Sequence, residues 1–418
     1  MEPDAQTRKL VPPFPLRGAR KSTVAFIFVT VALDMLAVGM IAPVLPGLVN
    51  RFLGGNTSQA AQMYGLFATA WGVMQFLCSP ILGALSDRYG RRPVILLSNF
   101  GLGLDYFVMA LAPSLPWLFV GRVFSGATSA SIPTAMAYIA DVTPPEKRAS
   151  AFGMVSAAFG LGFILGPAFG GMLGHYNPRL PFWVAGALSL LNACYGLFVL
   201  PESLPPERRA PFSWKRANPI GSLKLLNSNR ELLILAATML LGYLAQQALP
   251  SVWVLYSQYR YRWDDRLVGI SLAVVGFTSA LVGAGLVRPI TKAIGDQASL
   301  NIGLLCGAIG FACYGIAATP PLFWLGIPIM SLWGLAGPVA QGMMTRYVSP
   351  SEQGQLQGAI NSMRSATGLI GPAIFTFTFA FAIKPGTPLD LPGAPFLLSA
   401  LLLLISLVFA RAITYKNA

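Results

Sequence analysis

Four charged residues lie well inside long apolar stretches of this sequence: Asp34, Asp105, Arg122 and Arg364. A charge at the middle of a bilayer costs at least about 2.5 kcal/mol on insertion scales, so each embedded charge needs a structural or functional reason. A carboxylate in such a place can take up a proton while its surroundings are dry and release it when water enters. A fixed cation beside the carboxylate lowers its proton affinity, and withdrawal of the cation raises it again.

Asp34 is the first of these residues and is followed by Pro43 and Pro46. The two prolines bend or break a helix, and the backbone groups that they free must face protein or water. We therefore expect Asp34 to carry a proton; the alternative is a carboxylate that only holds helices together.

Asp105 and Arg364 each allow more than one interpretation. Asp105 either shares the handling of protons or forms a static ion pair with Arg122 of the next apolar stretch. Arg364 either neutralises an acid across a cavity or contacts a polar ligand, or it reaches the membrane surface from a peripheral position.

The stretches that hold these residues have the composition of membrane helices. Only 11% of the 418 residues are charged and 55% are hydrophobic, whereas soluble domains carry about 25% charged residues. Apolar runs of about 20 residues recur, and each can cross about 30 Å of hydrocarbon only as a helix. The sequence predicts an all-α membrane protein with twelve transmembrane helices, at approximately residues 24–45, 63–85, 94–112, 117–140, 150–173, 181–200, 231–254, 267–290, 299–319, 321–346, 357–383 and 394–413.

The net charge of +14 is distributed over loops. When the loops are taken alternately from the N-terminus, one side holds most of the arginines and lysines, which places both termini in the cytoplasm by the positive-inside rule. This distribution predicts contact with anionic lipid and argues against nucleic acid as a partner. We expect a multi-pass protein of a cell membrane, the bacterial inner membrane being favoured.

Chemistry of an enzymatic kind has no basis in the sequence, which contains no nucleophile–base pair, phosphate loop or metal-ligand spacing. We therefore expect neither enzymatic activity nor a metal or cofactor. The expected partner is a small-molecule substrate, and the expected state is a monomer.

The longest polar interruption divides the twelve segments into six and six. We predict a cytoplasmic leader at residues 1–21, a six-helix bundle at 22–200, a cytoplasmic linker at 201–229 and a second six-helix bundle at 230–413. Gly166-Pro167 recurs 205 residues later as Gly371-Pro372, which indicates duplication. Such repeats predict a substrate site between the bundles, exposed to each side in turn as one bundle rocks against the other.

Two motifs of the first half have no full copy in the second half. The loop after the second segment reads Gly83-Ala-Leu-Ser-Asp-Arg-Tyr-Gly-Arg-Arg92, whereas 205 residues after Asp87 the chain has Lys292. We expect the first loop to gate alone. In the fifth segment, glycines let two helices approach closely while a proline bends the span. The predicted gating residues are Gly83, Asp87, Arg88, Gly90, Arg91 and Arg92, and the glycine-proline motif consists of Gly162, Gly166, Pro167, Gly170 and Gly171.

These motifs resemble those of the major facilitator superfamily of secondary transporters, in which the loop reads G-x-L-x-D-R-x-G-R-R. The glycine-proline motif is similar to that of antiporters in this superfamily, and Arg122-Val-Phe-Ser-Gly126 is similar to its R-x-x-x-G motif. More narrowly, the chain resembles the tetracycline-resistance branch of the drug:proton antiporters. The segments that carry this likeness include Leu33-Asp34, Pro43-Val-Leu-Pro46, Asp105-Tyr106, Tyr138-Ile-Ala-Asp141, Phe198-Val-Leu-Pro-Glu-Ser203, Trp263-Asp264 and Gln353-Gly-Gln-Leu-Gln-Gly358.

The resemblance implies the two-bundle fold and export driven by the proton gradient, without a bound cofactor. It also implies that Asp34 and Asp105 handle protons and drug, with Arg122 as the coupled cation. Asp87 and Arg91 would form the gate, and Asp87 would latch against the start of the eleventh segment. Gln75 would line the drug path, and we assign Gln247 and Arg364 to the same substrate cavity.

Two departures from the family pattern count against tetracycline itself as the substrate. Gly307 stands where tetracycline exporters carry an acid in the ninth segment, and Arg262 stands where they carry a histidine. The leading hypothesis is proton-driven export of an amphipathic organic compound or drug. The alternatives are uptake or facilitated transport of a small metabolite, and a non-transporting membrane sensor on the same fold.

Overall fold

The computed structural model describes residues 20–129, 131–209, 225–349, 352–386 and 390–413. Nearly all of these residues are helical, and no strand occurs among them. Most of the predicted leader and the middle of the predicted linker, at residues 1–19 and 210–224, lie outside the described residues.

The described part of the first half contains eight α-helices. They are α1 (Arg20–Ile41), α2 (Leu45–Phe52), α3 (Thr57–Tyr89), α4 (Arg91–Leu111), α5 (Leu115–Thr128), α6 (Ser131–Val142), α7 (Pro145–Tyr176) and α8 (Leu180–Val199).

The second half contains nine α-helices in its described part. They are α9 (Arg230–Gln246), α10 (Ala248–Tyr261), α11 (Asp265–Leu281), α12 (Val287–Ile294), α13 (Asp296–Ile316), α14 (Pro320–Ser331), α15 (Ala336–Thr345), α16 (Gln353–Ala382) and α17 (Ala394–Arg411).

Each predicted segment corresponds to one helix or to consecutive helices. In the described part of the chain, eleven stretches are long and apolar enough to cross a membrane. The fourth predicted segment is formed by α5 and α6, which flank residue 130, and this residue lies outside the described ones. The predicted all-α, multi-pass architecture is confirmed.

Several spans are interrupted at defined places. The first breaks between α1 and α2, where Pro43 lies beyond Asp34 as the sequence predicts, and the seventh breaks at Gln247, 205 residues after Ala42. The eighth passes from α11 through a π-helix at Val282–Leu286 into α12. Because the first two breaks occupy equivalent places, they agree with the duplication inferred from the sequence.

The helices of each half pack mainly on one another. In the first half α1 packs on α7 and α8, and α4 packs on α5 and α8. In the second half α17 packs on α9 and α13, and α13 packs on α14. The two halves meet mainly along two helix pairs, α3 with α16 and α7 with α11, and α10 also packs on α2 and α3.

The two ends of the molecule differ in how closely the halves approach. We call the end that carries residues 83–92 and the starts of α7 and α16 the basic end, and the other the opposite end. Near the opposite end the Ser58 hydroxyl donates to the Ala380 carbonyl at 2.9 Å, and the Tyr64 hydroxyl donates to the Pro250 carbonyl at 3.2 Å. A Cβ built on Gly83 or Gly354, near the basic end, would meet no described atom within 4 Å. The described residues thus bring the two halves into contact near the opposite end and leave open space beside Gly83 and Gly354 at the basic end.

The glycine-proline motif lies where α7 contacts both halves. A Cβ on Gly166 would lie 2.6 Å from the Cα of Gly39 on α1, and one on Gly171 would lie 2.9 Å from the Cα of Gly269 on α11. Lipid tails give apolar helices no hydrophobic reason to associate, so close main-chain packing between small residues supplies much of the attraction. These positions need glycine because the helix backbones touch.

Replacing Gly166 by alanine is expected to destabilise the protein, because the added methyl group overlaps Gly39 and overpacking costs about 1–3 kcal/mol. The thermal unfolding midpoint of the purified protein measures the effect. Gly160→Ala on the same helix is the matched control, since a Cβ there meets no described atom within 4 Å. Equal midpoints for the two variants would contradict the packing argument.

Candidate functional site

Asp34 is buried on α1, with 3% of its surface exposed. Its Oδ1 accepts a hydrogen bond from the Asn192 side-chain amide on α8 at 3.1 Å, and the same amide donates to the Thr30 carbonyl at 3.2 Å. Sequence reasoning missed Asn192, although a buried amide inside an apolar segment is the kind of signal that marks a polar partner. The amide orients the carboxylate and ties α1 to α8.

Asp105 is buried on α4, and the ion pair with Arg122, one of its two interpretations, is not formed, since no contact within 4 Å joins their charged groups. Asp105 Oδ1 lies 2.8 Å from a Cβ built on Gly121, so the carboxylate packs against the α5 main chain. The Arg122 guanidinium instead lies over the Trp71 ring of α3, 5.5 Å from its centroid, where the aromatic face attracts the cation. Ser125 is also beside Asp105, but the geometry falls short of a hydrogen bond.

The three predicted proton-coupling residues nevertheless share one region of the first half. The buried Tyr106 on α4 lies within electrostatic range of Asp34, Asp105 and Arg122. Asp34 on α1, Asp105 on α4 and Arg122 on α5 therefore lie in one neighbourhood around Tyr106, in an interior where charges act over longer distances than in water.

The two departures from the family pattern have clear structural settings in the second half. A Cβ on Gly307 would lie 2.8 Å from both the Trp333 ring and the Leu403 side chain, so an acidic side chain has no room at this position. Arg262 ends α10 in the left-handed conformation, with φ of 56°, and borders a cavity at the opposite end together with His175 and Asp264.

The predicted cavity residues lie near a close approach of α3 to α16. A Cβ on Gly72 would lie 3.3 Å from the Gly368 carbonyl oxygen. Gln75, almost one turn beyond Gly72, donates to the Ser129 hydroxyl at 3.1 Å, and Gln247 packs on Gly368.

Arg364 lies one turn before that contact and is exposed on α16. Its guanidinium lies 5.0 Å from the centroid of the Tyr243 ring on α9. The structure thus adds two aromatic residues that sequence reasoning missed, Trp71 and Tyr243, each with an arginine guanidinium over its ring.

The gating loop is fixed by Arg91. Its side chain donates to the carboxylates of Asp87 and Asp141 and to the Ser86 hydroxyl. Asp141 also accepts from the Ser203 hydroxyl at 3.1 Å. Asp87 pairs with Arg91 within its own loop and contacts no described residue at the start of α16, so the latch stays a prediction.

The remaining loop residues have separate settings. Arg88 is exposed, with its guanidinium over the ring of its neighbour Tyr89, and Arg92 donates to the Leu197 carbonyl at 2.5 Å. Gly90 joins α3 to α4 with φ of 111°, a conformation that favours glycine.

Glu202, which follows α8, caps the start of α4 and was not predicted from the sequence. Its carboxylate accepts from the main-chain N–H groups of Arg91 and Arg92 at 2.8 and 3.3 Å, and from those of Ser203 and Leu204 at 2.9 and 3.0 Å. A carboxylate at a helix N-terminus satisfies unpaired amides and complements their partial positive charge. The segment that leaves the first bundle is thereby attached to the gating loop.

We expect Glu202→Gln to loosen the start of α4, because the neutral amide loses the charge-assisted hydrogen bonds. Hydrogen exchange in peptides covering residues 88–96 should speed up about tenfold, which corresponds to about 1.4 kcal/mol. Glu207→Gln, a nearby exposed acid, is the control and should leave exchange unchanged. Unaltered exchange in Glu202→Gln would show that the cap does not hold the loop.

Comparisons with known proteins agree with this architecture. Residues 27–372 match the family profile described as Major Facilitator Superfamily. The class C tetracycline resistance protein of Escherichia coli is 39% identical over 368 residues, which cover 86% of this chain and 91% of that protein. The class E protein of Escherichia coli is 34% identical over 369 residues, which cover 86% and 88%.

Solved structures show the same fold. The crystal structure of a human organic anion transporter superimposes with a TM-score of 0.68 at 24% identity, covering 94% of this chain and 99% of that chain. The resemblance stated from the sequence motifs is confirmed, and the chain belongs to the major facilitator superfamily, with the tetracycline resistance proteins among its relatives.

Proposed function

We propose that this protein is a proton-coupled efflux transporter, an antiporter of amphipathic organic compounds or drugs that works by alternating access. The observation that carries the proposal is the group of two buried carboxylates, Asp34 and Asp105, near Arg122 and beside an opening that only the basic end exposes. The names of the tetracycline resistance proteins support export of a drug.

The arrangement suggests how binding and proton transfer are linked. An amphipathic compound entering from the basic end would meet the aromatic faces of Trp71 and Tyr243 and the amides of Gln75 and Gln247. Arg364 supplies a charge for a polar group of the ligand. Water that enters with opening of either end changes the proton affinity of the buried carboxylates, so the state of the gate and proton release are coupled.

Arg122 is placed to transmit this coupling. It is held by the Trp71 ring on α3 rather than by Asp105, and α3 also contacts α16 of the other half. A movement of α3 during rocking would therefore shift the cation relative to both carboxylates. A shift of this kind changes which protonation state is favoured.

The proposed location is a bacterial inner membrane. The basic end and both termini face the cytoplasm, by the positive-inside rule. The units are the bundles at residues 22–200 and 230–413. The protein acts as a monomer in lipid on a small-molecule substrate; it uses the proton gradient, with no bound cofactor and no nucleic-acid partner. Uptake of a metabolite and a sensor without transport are less favoured, because the relatives are resistance proteins.

Everted membrane vesicles test the proposed direction and coupling together. Vesicles acidified inside by respiration should release protons when an exported compound is added outside, and should accumulate that compound. Tetracycline is the first probe, followed by a panel of amphipathic cationic and zwitterionic drugs. Proton movement in the same direction as the compound would identify a symporter and overturn the proposal.

Asp34→Asn is expected to abolish proton-driven accumulation, because the amide cannot exchange a proton while it still fits beside Asn192. Binding of the same compound to the purified variant should persist in part. Asp390→Asn, at an exposed acid, is the control and should transport normally. Accumulation by Asp34→Asn at the wild-type level would rule out the assignment.

A further inference from the structure

A cleft at the basic end lies between two helices of the second half, apart from the proton-coupling and substrate residues described above. It has a volume of about 470 Å³ and lies between α12 and α15, beside the start of α13. No residue of α12 is buried, so side chains along this helix are accessible to a ligand in the cleft.

The cleft is formed by one face of each helix. Arg288 and Lys292 of α12 line it and are four residues apart. On α15, Pro338 and Gly342 line it at the same interval, and Arg346 follows four residues later. Residues four apart lie on the same side of a helix. A Cβ on Gly342 would meet no described atom within 4 Å, so this glycine leaves room in the middle of the cleft.

The lining of the cleft carries an excess of positive charge. Arg288, Lys292 and Arg346 line it together with one acid, Asp296. Arg346 Nη2 lies 2.5 Å from Asp296 Oδ2, so these two charges balance each other. Arg288 and Lys292 are exposed and make no hydrogen bond or ion pair with any residue that the structure describes. The cleft therefore offers two cations to an anionic ligand.

Apolar and charged residues follow one another in a definite order along the cleft. Both helices run toward the basic end, so their lower-numbered residues lie deeper in the membrane. Val287 and Val339 line the deep part, whereas Lys292 and Arg346 line the outer part. At 1.5 Å per residue, Val287 lies about 8 Å before Lys292 along the helix. An amphipathic anion, with its charge outward and its apolar part inward, matches this order.

An apolar surface continues from the cleft toward the middle of the membrane. Phe277 and Leu281 on α11 and Leu286 of the π-helix precede α12, and their side chains are exposed. Exposed apolar surface of this kind marks contact with membrane or with another apolar partner. A free phosphate ion would leave this surface and the deep part of the cleft without a partner, so the arrangement favours a lipid.

We propose that the cleft between α12 and α15 binds an anionic phospholipid of the leaflet at the basic end. The phosphate contacts Arg288 and Lys292, and the acyl chains run past Val287 and Val339 onto the surface of α11. The ion pair of Asp296 with Arg346 forms one wall of the headgroup site. Basic pockets between helices on the cytoplasmic side of a membrane attract acidic headgroups in this way. The inference adds a lipid site to the proposed transporter and does not depend on the direction of transport.

Titration of the purified full-length protein with lipid, followed by native mass spectrometry, tests the site. The probe is phosphatidylglycerol, and phosphatidylcholine with the same acyl chains is the zwitterionic comparison. Each basic residue near a membrane surface strengthens binding of an anionic lipid about fivefold, so Arg288→Gln combined with Lys292→Gln should weaken phosphatidylglycerol binding about 25-fold and leave phosphatidylcholine unaffected. Arg230→Gln combined with Arg411→Gln is the matched control, since it removes two exposed arginines at the same end but outside the cleft.

Gly342→Leu tests the shape of the site without a change of charge. The leucine side chain would occupy the room beside Gly342, and because it overlaps the ligand it should weaken phosphatidylglycerol binding about tenfold. Gly337→Leu is its control, since a Cβ there also meets no described atom within 4 Å but Gly337 does not line the cleft.

Three results would overturn the proposal. Equal affinity of the parent protein for the two lipids would remove the anionic headgroup site. Equal binding by the cleft variants and their controls would place the lipid elsewhere. Displacement of phosphatidylglycerol by millimolar inorganic phosphate, but not by sodium chloride of the same ionic strength, would identify the ligand as a free phosphate ion.

Discussion

Main-chain contact between α7 and its two neighbours is the interaction on which the rest of the structure depends. Gly166 meets Gly39 on α1 of the same half, and Gly171 meets Gly269 on α11 of the other half, so α7 packs by its main chain on both halves of the molecule. In a membrane, where apolar side chains gain nothing by leaving lipid, such contacts determine which helices lie together. Because α7 is joined to both halves near the opposite end, the space between them widens toward the basic end.

Buried charged residues are distributed unevenly between the two halves. In the first half, Asp34 and Asp105 are buried, and the half-buried Arg122 lies in the same neighbourhood. In the described part of the second half, the buried acid is Asp265, at the start of α11 near the opposite end. The first half thus places two buried acids within its apolar helices, whereas the buried acid of the described second half lies at a helix end.

Much of this organisation could be predicted from the sequence, because lipid restricts the backbone conformations and the positions of charged residues that a membrane-spanning chain can adopt. Apolar runs must become helices, prolines such as Pro43 must break them, and embedded charges such as Asp34 must face the protein interior. Details that depend on side-chain direction could not be predicted. Arg122 stacks on Trp71 instead of pairing with Asp105, since helix rotation and the small Gly121 decide what each charge meets.

Long-range pairs escaped prediction for a related reason. Glu202 is more than 100 residues along the chain from the start of the helix that it caps, and no local sequence pattern predicts such a contact. The Asp296–Arg346 ion pair lies 205 residues after Arg91 and Asp141 with the two signs exchanged, so the repeat keeps the attraction between these positions but not their residue types. Patterns of complementary charge are therefore clearer in three dimensions than along the chain.

The packing around Gly307 has a consequence for how this protein can change under drug selection. The Trp333 ring and the Leu403 side chain fill the space that an acid at this position would need. A single nucleotide change that introduced an acid there would disrupt the bundle before it offered a new ligand contact. Acquisition of that acid therefore requires prior replacement of Trp333 or Leu403 by smaller residues, so the order in which mutations accumulate is constrained, and resistance would evolve first through residues that already face the opening.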